Sequence, residues 1–411
     1  MPSATVRQCA VLVGGKGGVG ERKAATPTAL LPCGDRPFLA WLLREFIRFG
    51  VDDFLLLAGD GSDAVQAALP AIAACLPKPV RIACCAEPAG SGSGGALHHA
   101  RDRLAERFLL CNGTSLLDGN LSRLLADAVA DPASVTGRMM LRQLDEASRC
   151  GVVQLRGDRV VAFQGGGEPG TPGIVTAGVC LLNRRVLDDF APVGSLERDI
   201  LPALVARGAL RGTLADGAGG KPYFIDIGNL ADFQRAQTEL PARLHRRALF
   251  LDRDGVINFD RGYVGTRDRF EWMPGALETI RAATDAGFHV FVVTNQSGIA
   301  RGFYDEAQLA ALHGWMADEI RAAGGTLDDL RFCPFHPEGT VAAYRRTSDW
   351  RKPAPGMLLD LIAKWELDPS RCLLIGDQPT DLAAGAAAGV LGYRFEGGDL
   401  AGFALPLLGG R

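Results

Sequence analysis

With 411 residues, 47% of them hydrophobic, and a formal charge of −3, the chain is too long for one ordinary core and too near neutral to bind a polyanion. It is expected to be a globular protein of two or three domains that takes no nucleic acid as partner. Met1–Arg7 lacks a basic start leading into a long apolar run, and no stretch approaches the ~20 apolar residues of a membrane span. No membrane partner is expected, and the expected location is cytoplasmic. The ten cysteines are scattered through mostly apolar segments without a C-x-x-C pair, as for reduced core residues.

In chain order, a strand is expected at Gln8–Val13, running into the glycine-rich stretch Gly14-Gly15-Lys16-Gly17-Gly18-Val19-Gly20-Glu21-Arg22. The apolar pattern at Phe38–Ile47 predicts a helix, and strands are expected at Phe54–Leu57, Arg81–Cys85 and Phe108–Cys111. This alternation predicts an α/β unit with a mostly parallel sheet. A strand-rich middle follows from Arg138 to Leu182, then a helix at Leu230–Leu240. Residues 241–247, from Pro241 to Arg247, read as a linker between domains spanning 1–240 and 248–411. The second α/β series has expected strands at Ala248–Leu251, His289–Val293 and Arg371–Ile375, with helices at Gly275–Ala286, Asp305–Ala323 and Gly356–Lys364.

Chemistry concentrates in this second series. Asp252-Arg253-Asp254-Gly255 directly follows a strand, so that two carboxylates two residues apart share one side of an extended chain. Thr294-Asn295-Gln296-Ser297-Gly298 and Gly376-Asp377-Gln378-Pro379-Thr380-Asp381 also follow strands, and Arg351-Lys352-Pro353 lies on a loop. Ligand sites of open α/β sheets gather at the carboxyl ends of strands, where three of these four motifs stand. The set suits magnesium and phosphate.

These motifs, in this order, resemble the haloacid dehalogenase-like (HAD) phosphatases. The text Phe250–Asn258, Gly262-Tyr263-Val264, Val293–Gly302 and Arg351–Met357 narrows the likeness to the D-glycero-D-manno-heptose 1,7-bisphosphate 7-phosphatases, over about Arg247 to Phe395. The resemblance implies a Rossmann-like parallel sheet and a magnesium-dependent hydrolase of a small sugar phosphate. Asp252 would be the nucleophile that forms an aspartyl-phosphate, and Asp254 the acid and base. Magnesium would sit on Asp252, the main-chain carbonyl of Asp254 and Asp377, with Asp381 orienting that shell. Thr294 and Asn295 would hydrogen-bond the phosphoryl group, Lys352 would stabilise its charge, and Arg301 and Arg351 would hold the rest of the substrate. A histidinol-phosphate or other small phosphomonoester specificity stands as an alternative.

One departure concerns metal. The heptose bisphosphatases carry C-x-H and then C-x-C before the Arg-Lys pair, whereas this chain has Cys333-Pro334-Phe335-His336 and then Ser348-Asp349-Trp350. Cys333 and His336 fall short of four ligands, so no structural zinc is expected, and packing of Phe335 and Trp350 is expected to hold the loop instead.

For the opening glycines, a P-loop is one reading, but Glu21 and Arg22 stand where the motif needs Lys and a hydroxyl. The stronger resemblance, over about Gln8 to Gln237, is to sugar nucleotidyltransferases such as the heptose 1-phosphate guanylyltransferases, which implies a mixed sheet. It rests on Val11–Gly18, Pro27–Pro32, Arg36–Leu39, Glu87-Pro88 with Gly92–Ala96, Ala177–Arg184 and Tyr223–Gly228. The family's charged positions are largely absent. Thr28 stands for a lysine, Thr114 for a metal-binding aspartate, and Gly165-Gly166, after Phe163-Gln164, for an acid-lysine pair, so Asp226 alone remains of the metal ligands. This domain is expected to be a degenerate transferase that binds a sugar or nucleotide, holds a partner or forms a homo-oligomer, with a bifunctional enzyme as the alternative.

Overall fold

The computed structural model describes residues 6–13, 26–59, 61–88, 90–145, 147, 152–164, 170–188, 191–215 and 222–409. The glycine-rich stretch 14–22 and Gly165-Gly166 lie outside the described residues. The chain divides into two compact units, Met1–Leu244 and His245–Arg411. Among the described residues, no helix is long and apolar enough to cross a membrane.

The N-terminal unit is built on strands β1 (Gln8–Leu12), β4 (Asp53–Ala58), β5 (Arg81–Ala86), β6 (Arg107–Asn112), β8 (Gly137–Leu144), β9 (Val152–Arg156), β10 (Arg159–Gln164), β11 (Gly173–Asn183) and β12 (Leu210–Leu214). They form one sheet in the order β5-β4-β1-β6-β11-β8-β12-β10-β9. The β5-β4-β1-β6 half is parallel, and β11 then pairs antiparallel with both β6 and β8, which makes the sheet mixed. Strand β1 (QCAVL) is almost wholly buried, as a strand covered on both faces must be. Two short pairs complete the unit: β2 (Pro32–Cys33) with β3 (Arg36–Pro37), and β7 (Ser115–Asp118) with β13 (Tyr223–Asp226).

The last helix of this unit spans Leu230–Leu244, so Pro241–Leu244 are helical and not the start of a linker. Proline removes one backbone donor from a helix and is usually a stop. Here its ring lies against Gly34, where an added Cβ would come 2.6 Å from the Pro241 Cγ. Gly34 has φ +67 and donates its N–H to the Gln237 side chain at 3.3 Å. Packing on a neighbouring turn thus offsets the lost bond.

The C-terminal unit has five parallel strands, β14 (Ala248–Leu251), β15 (His289–Asn295), β16 (Asp329–Cys333), β17 (Leu373–Gly376) and β18 (Leu391–Arg394), in the order β16-β15-β14-β17-β18. Strand β14 (ALFL) is fully buried at the centre, and helices Ala276–Asp285, Glu306–Ala322, Gly356–Trp365 and Pro379–Ala387 follow their strands as right-handed crossovers require. The chain first winds from β14 towards β16 and then returns to β17 on the other side of β14. The order reverses at the carboxyl end of β14, where such sheets open a crevice.

Candidate active site

Asp252 is the first residue beyond β14, and its backbone N–H bonds to the Ile375 carbonyl of β17 at 3.0 Å. Its Oδ1 accepts from the Arg253 N–H at 2.7 Å and from Lys352 Nζ at 2.9 Å, while its Oδ2 has no hydrogen bond among the described residues. Lys352 is 3% exposed and spends its three N–H groups on Asp252, on Asp381 Oδ1 at 2.6 Å and on the Val293 carbonyl at 3.0 Å. Burial works against its charge, yet Asp252 and Asp381 together hold its pKa above the ordinary lysine value. Burial also pushes the Asp252 carboxyl up to about 7; Lys352 opposes the rise, and Asp381 and Asp254 add to it.

Asp254 is fixed by a separate set of donors. Arg253 Nη2 reaches both of its oxygens at 2.9 Å, Asn258 Nδ2 donates to Oδ1 at 2.9 Å and Gln296 Nε2 to Oδ2 at 2.8 Å. Arg253 is wholly buried, held in turn by the Val264 carbonyl and by His313 Nε2 at 3.1 Å. Burial, with Arg253 alongside, lowers the His313 pKa to about 3, so its ring is a neutral acceptor for the guanidinium. Gln296 also donates to Thr294 Oγ1 at 2.9 Å and accepts from the Tyr304 hydroxyl at 2.5 Å. Gln296 was not among the site residues expected from sequence. Its place two residues after Thr294 at a strand end, on the same side of the chain, was the signal available.

Asp377 follows β17, and burial raises its pKa. Asp252, Asp377 and Asp381 each bring a carboxylate oxygen within 4.8 Å of the others. Gly255 makes room for this cluster, since it has φ +84 and an added Cβ would come 2.6 Å from the Asp377 carboxylate. Asp381 has both oxygens engaged, Oδ1 by Lys352 and Oδ2 by the Gln378 N–H at 2.9 Å, where it closes the first turn of helix Pro379–Ala387. The unpartnered Asp252 oxygen, the all-carboxylate donor set and the glycine cradle fit a hard divalent cation, with Asp381 standing behind Asp252 and Asp377.

Asn295 sits differently from its expected place on the substrate. Its side chain clamps the Lys352 backbone at both ends, Oδ1 accepting from the N–H and Nδ2 donating to the carbonyl, each at 3.1 Å. Arg301 and Arg351 are half-buried and have no carboxylate partner among the described residues. Arg301 Nη2 meets His336 Nε2 at 3.5 Å and its buried Nε is unbonded, and Arg351 Nη1 meets only the Phe335 carbonyl at 3.5 Å. Burial, and then Arg301, lowers the Arg351 pKa, so the pair calls for an anion. His336 has both ring nitrogens engaged, by Arg301 and by the Glu338 N–H at 3.1 Å. Phe335 packs with Tyr344 and under Arg346, at 6.0 and 3.8 Å, while Trp350 lies against Gly356, so each ring meets its own set of neighbours.

In the N-terminal unit, Asp226 faces Ser115 across the β7–β13 pair. Its Oδ2 accepts from the Ser115 hydroxyl at 2.6 Å and its Oδ1 from the Gly228 N–H at 2.8 Å. Thr114 contributes its carbonyl to the Ile227 N–H at 2.9 Å. The carboxylate therefore serves the turn, and among the described residues no three-carboxylate cluster stands beside it.

A nucleotidyl transferase family model matches residues 11–243, and a haloacid dehalogenase-like hydrolase model matches residues 217–389. The D-glycero-beta-D-manno-heptose-1,7-bisphosphate 7-phosphatase of Rhodopseudomonas palustris is 52% identical over 163 residues, 40% of this chain and 91% of its own length. The enzyme of the same name from Escherichia coli K12 is 44% identical over 143 residues, 35% of this chain and 75% of its own. The crystal structure of HddC from Yersinia pseudotuberculosis superposes with a TM-score of 0.50 at 21% identity, covering 57% of this chain and 99% of that one, a likeness of fold.

Proposed function

We propose that this chain, which belongs to the nucleotidyl transferases through its N-terminal unit and is a haloacid dehalogenase-like phosphatase through its C-terminal one, removes the 7-phosphate of D-glycero-D-manno-heptose 1,7-bisphosphate. The observation that carries the reading is Asp252, with one oxygen held by Lys352 and its carboxylate grouped with those of Asp377 and Asp381. The Asp252 carboxylate attacks phosphorus through one oxygen while the other would face the cation, and the bond to the sugar oxygen breaks, leaving an aspartyl-phosphate. Asp254 gives the departing oxygen its proton, then takes one from the water that hydrolyses the acyl phosphate. Magnesium, held by Asp252, the Asp254 carbonyl and Asp377, would neutralise charge on the phosphoryl oxygens. Thr294 and Lys352 complete the phosphoryl site, Asn295 sets the Lys352 backbone, and Arg301 with Arg351 takes the second phosphate.

Orthophosphate release from the bisphosphate tests this directly. Asp252→Asn keeps the shape but removes the nucleophile, so kcat falls by roughly three orders of magnitude or more while the melting curve persists. Near-native turnover by that variant would falsify the assignment.

For the N-terminal unit we infer loss of nucleotidyl transfer, because both oxygens of Asp226 are bonded within the protein. The nucleotidyl transferase match favours the bifunctional reading, and pyrophosphate release from nucleoside triphosphates with heptose 1-phosphate decides between them.

A further inference from the structure

Two large aromatic side chains stand exposed where the sheet opens. Tyr263 is 41% and Phe303 61% exposed, and their rings pack on each other with centroids 4.5 Å apart, tilted by 38°. Each rides on a loop that positions Asp254. Tyr263 directly precedes Val264, whose carbonyl holds Arg253, and Arg253 holds Asp254. Phe303 directly precedes Tyr304, whose hydroxyl holds Gln296, and Gln296 holds Asp254 from the other side. Phe303 also closes the turn that carries Arg301, with its N–H on the Gly298 carbonyl at 2.9 Å.

Tyr263 has φ +54, a left-handed conformation that is strained for a bulky residue and that the preceding Gly262, at φ +68, adopts freely. A second glycine would relieve that strain, so the ring is present despite the backbone it requires.

We propose that Tyr263 and Phe303 form an aromatic platform for the apolar C–H face of the leaving sugar, between the phosphoryl group at Asp252 and the anion held by Arg301 and Arg351. The proposal rests on the function given above. An alcohol leaving from phosphorus must be beside the acid that protonates it, and this pair is the exposed apolar surface on the two loops that fix that acid. Aromatic rings complement the C–H face of a sugar by dispersion and ring polarisation, while the hydroxyls remain at the rim. The pair is therefore a determinant of specificity, separate from the groups that act on phosphorus.

The test compares kcat/KM for the heptose bisphosphate with kcat/KM for acetyl phosphate, whose leaving group has no ring face, in the full-length protein with magnesium. In Tyr263→Gly, which relieves the backbone strain, and in Phe303→Ala, the ratio of the two falls about tenfold, mostly through KM for the sugar ester. Tyr263→Phe keeps the ring and restores the ratio. An unchanged ratio, or an equal loss on both substrates, overturns the platform while leaving the function intact. Wild-type protein that hydrolyses acetyl phosphate but not the sugar ester overturns the substrate reading, and the platform with it.

Discussion

Gly255 and Asp252 show how single residues set the terms for the cation. Because a Cβ at position 255 would meet the Asp377 carboxylate and the backbone there is left-handed, Gly255→Ala should weaken magnesium activation at least tenfold, read as the magnesium concentration for half-maximal phosphatase rate. The raised pKa of Asp252 makes a second prediction. Its carboxyl titrates near 7 in the metal-free fold against about 4 in an unfolded chain, so it contributes stability that is complete below pH 4 and is lost as pH rises through 7. Magnesium favours the ionised form and opposes that loss. The rise in melting temperature of the C-terminal unit on adding saturating magnesium should thus be larger at pH 8 than at pH 5; an equal rise at both would mean that Asp252 is not the group that binds. Gln296→Leu strips a donor from both Asp254 and Thr294 and leaves Tyr304 unpaired, and should lower kcat by roughly ten- to a hundredfold with little change in KM.

Among the elements, helix Glu306–Ala322 begins with a reciprocal cap, Asp305 accepting from the Gln308 N–H at 2.8 Å and Gln308 from the Asp305 N–H at 3.0 Å. It carries His313, which braces Arg253, so the cap bears on the site as well as the helix. Asp305→Ala should cost about 1 kcal/mol in denaturant unfolding of the C-terminal unit. Such contacts also mark where the sequence could be read and where it could not. Asp252, Asp254, Thr294 and Asp377 are legible because each follows an apolar run short enough to be a strand, and the carboxyl ends of parallel strands converge. Arg253 bonded to His313 joins residues 60 apart, and no local period reports such a meeting. Asn295 was legible as polar and near the site, but its partner, the Lys352 backbone, appears only once the loop is folded onto β15. Pro241 misled for a related reason: its local signal is a stop, and the turn at Gly34 that sustains the helix lies about 200 residues earlier.

At the scale of the whole molecule, two units that match different family models share one chain. Purified protein should release no pyrophosphate above background from GTP or ATP with heptose 1-phosphate, and Thr114→Asp should add metal affinity without restoring transfer, since the other charged positions stay changed. Elemental analysis should find no stoichiometric zinc, given that among the described residues Cys333 belongs to no group of three or more possible metal ligands and both ring nitrogens of His336 are already engaged. Every side chain assigned to phosphate chemistry, from Asp252 to Asp381, falls inside the unit His245–Arg411. Selection on hydrolysis therefore reads only that stretch of the gene. Recombination at the junction would carry that whole set of side chains to a new chain together.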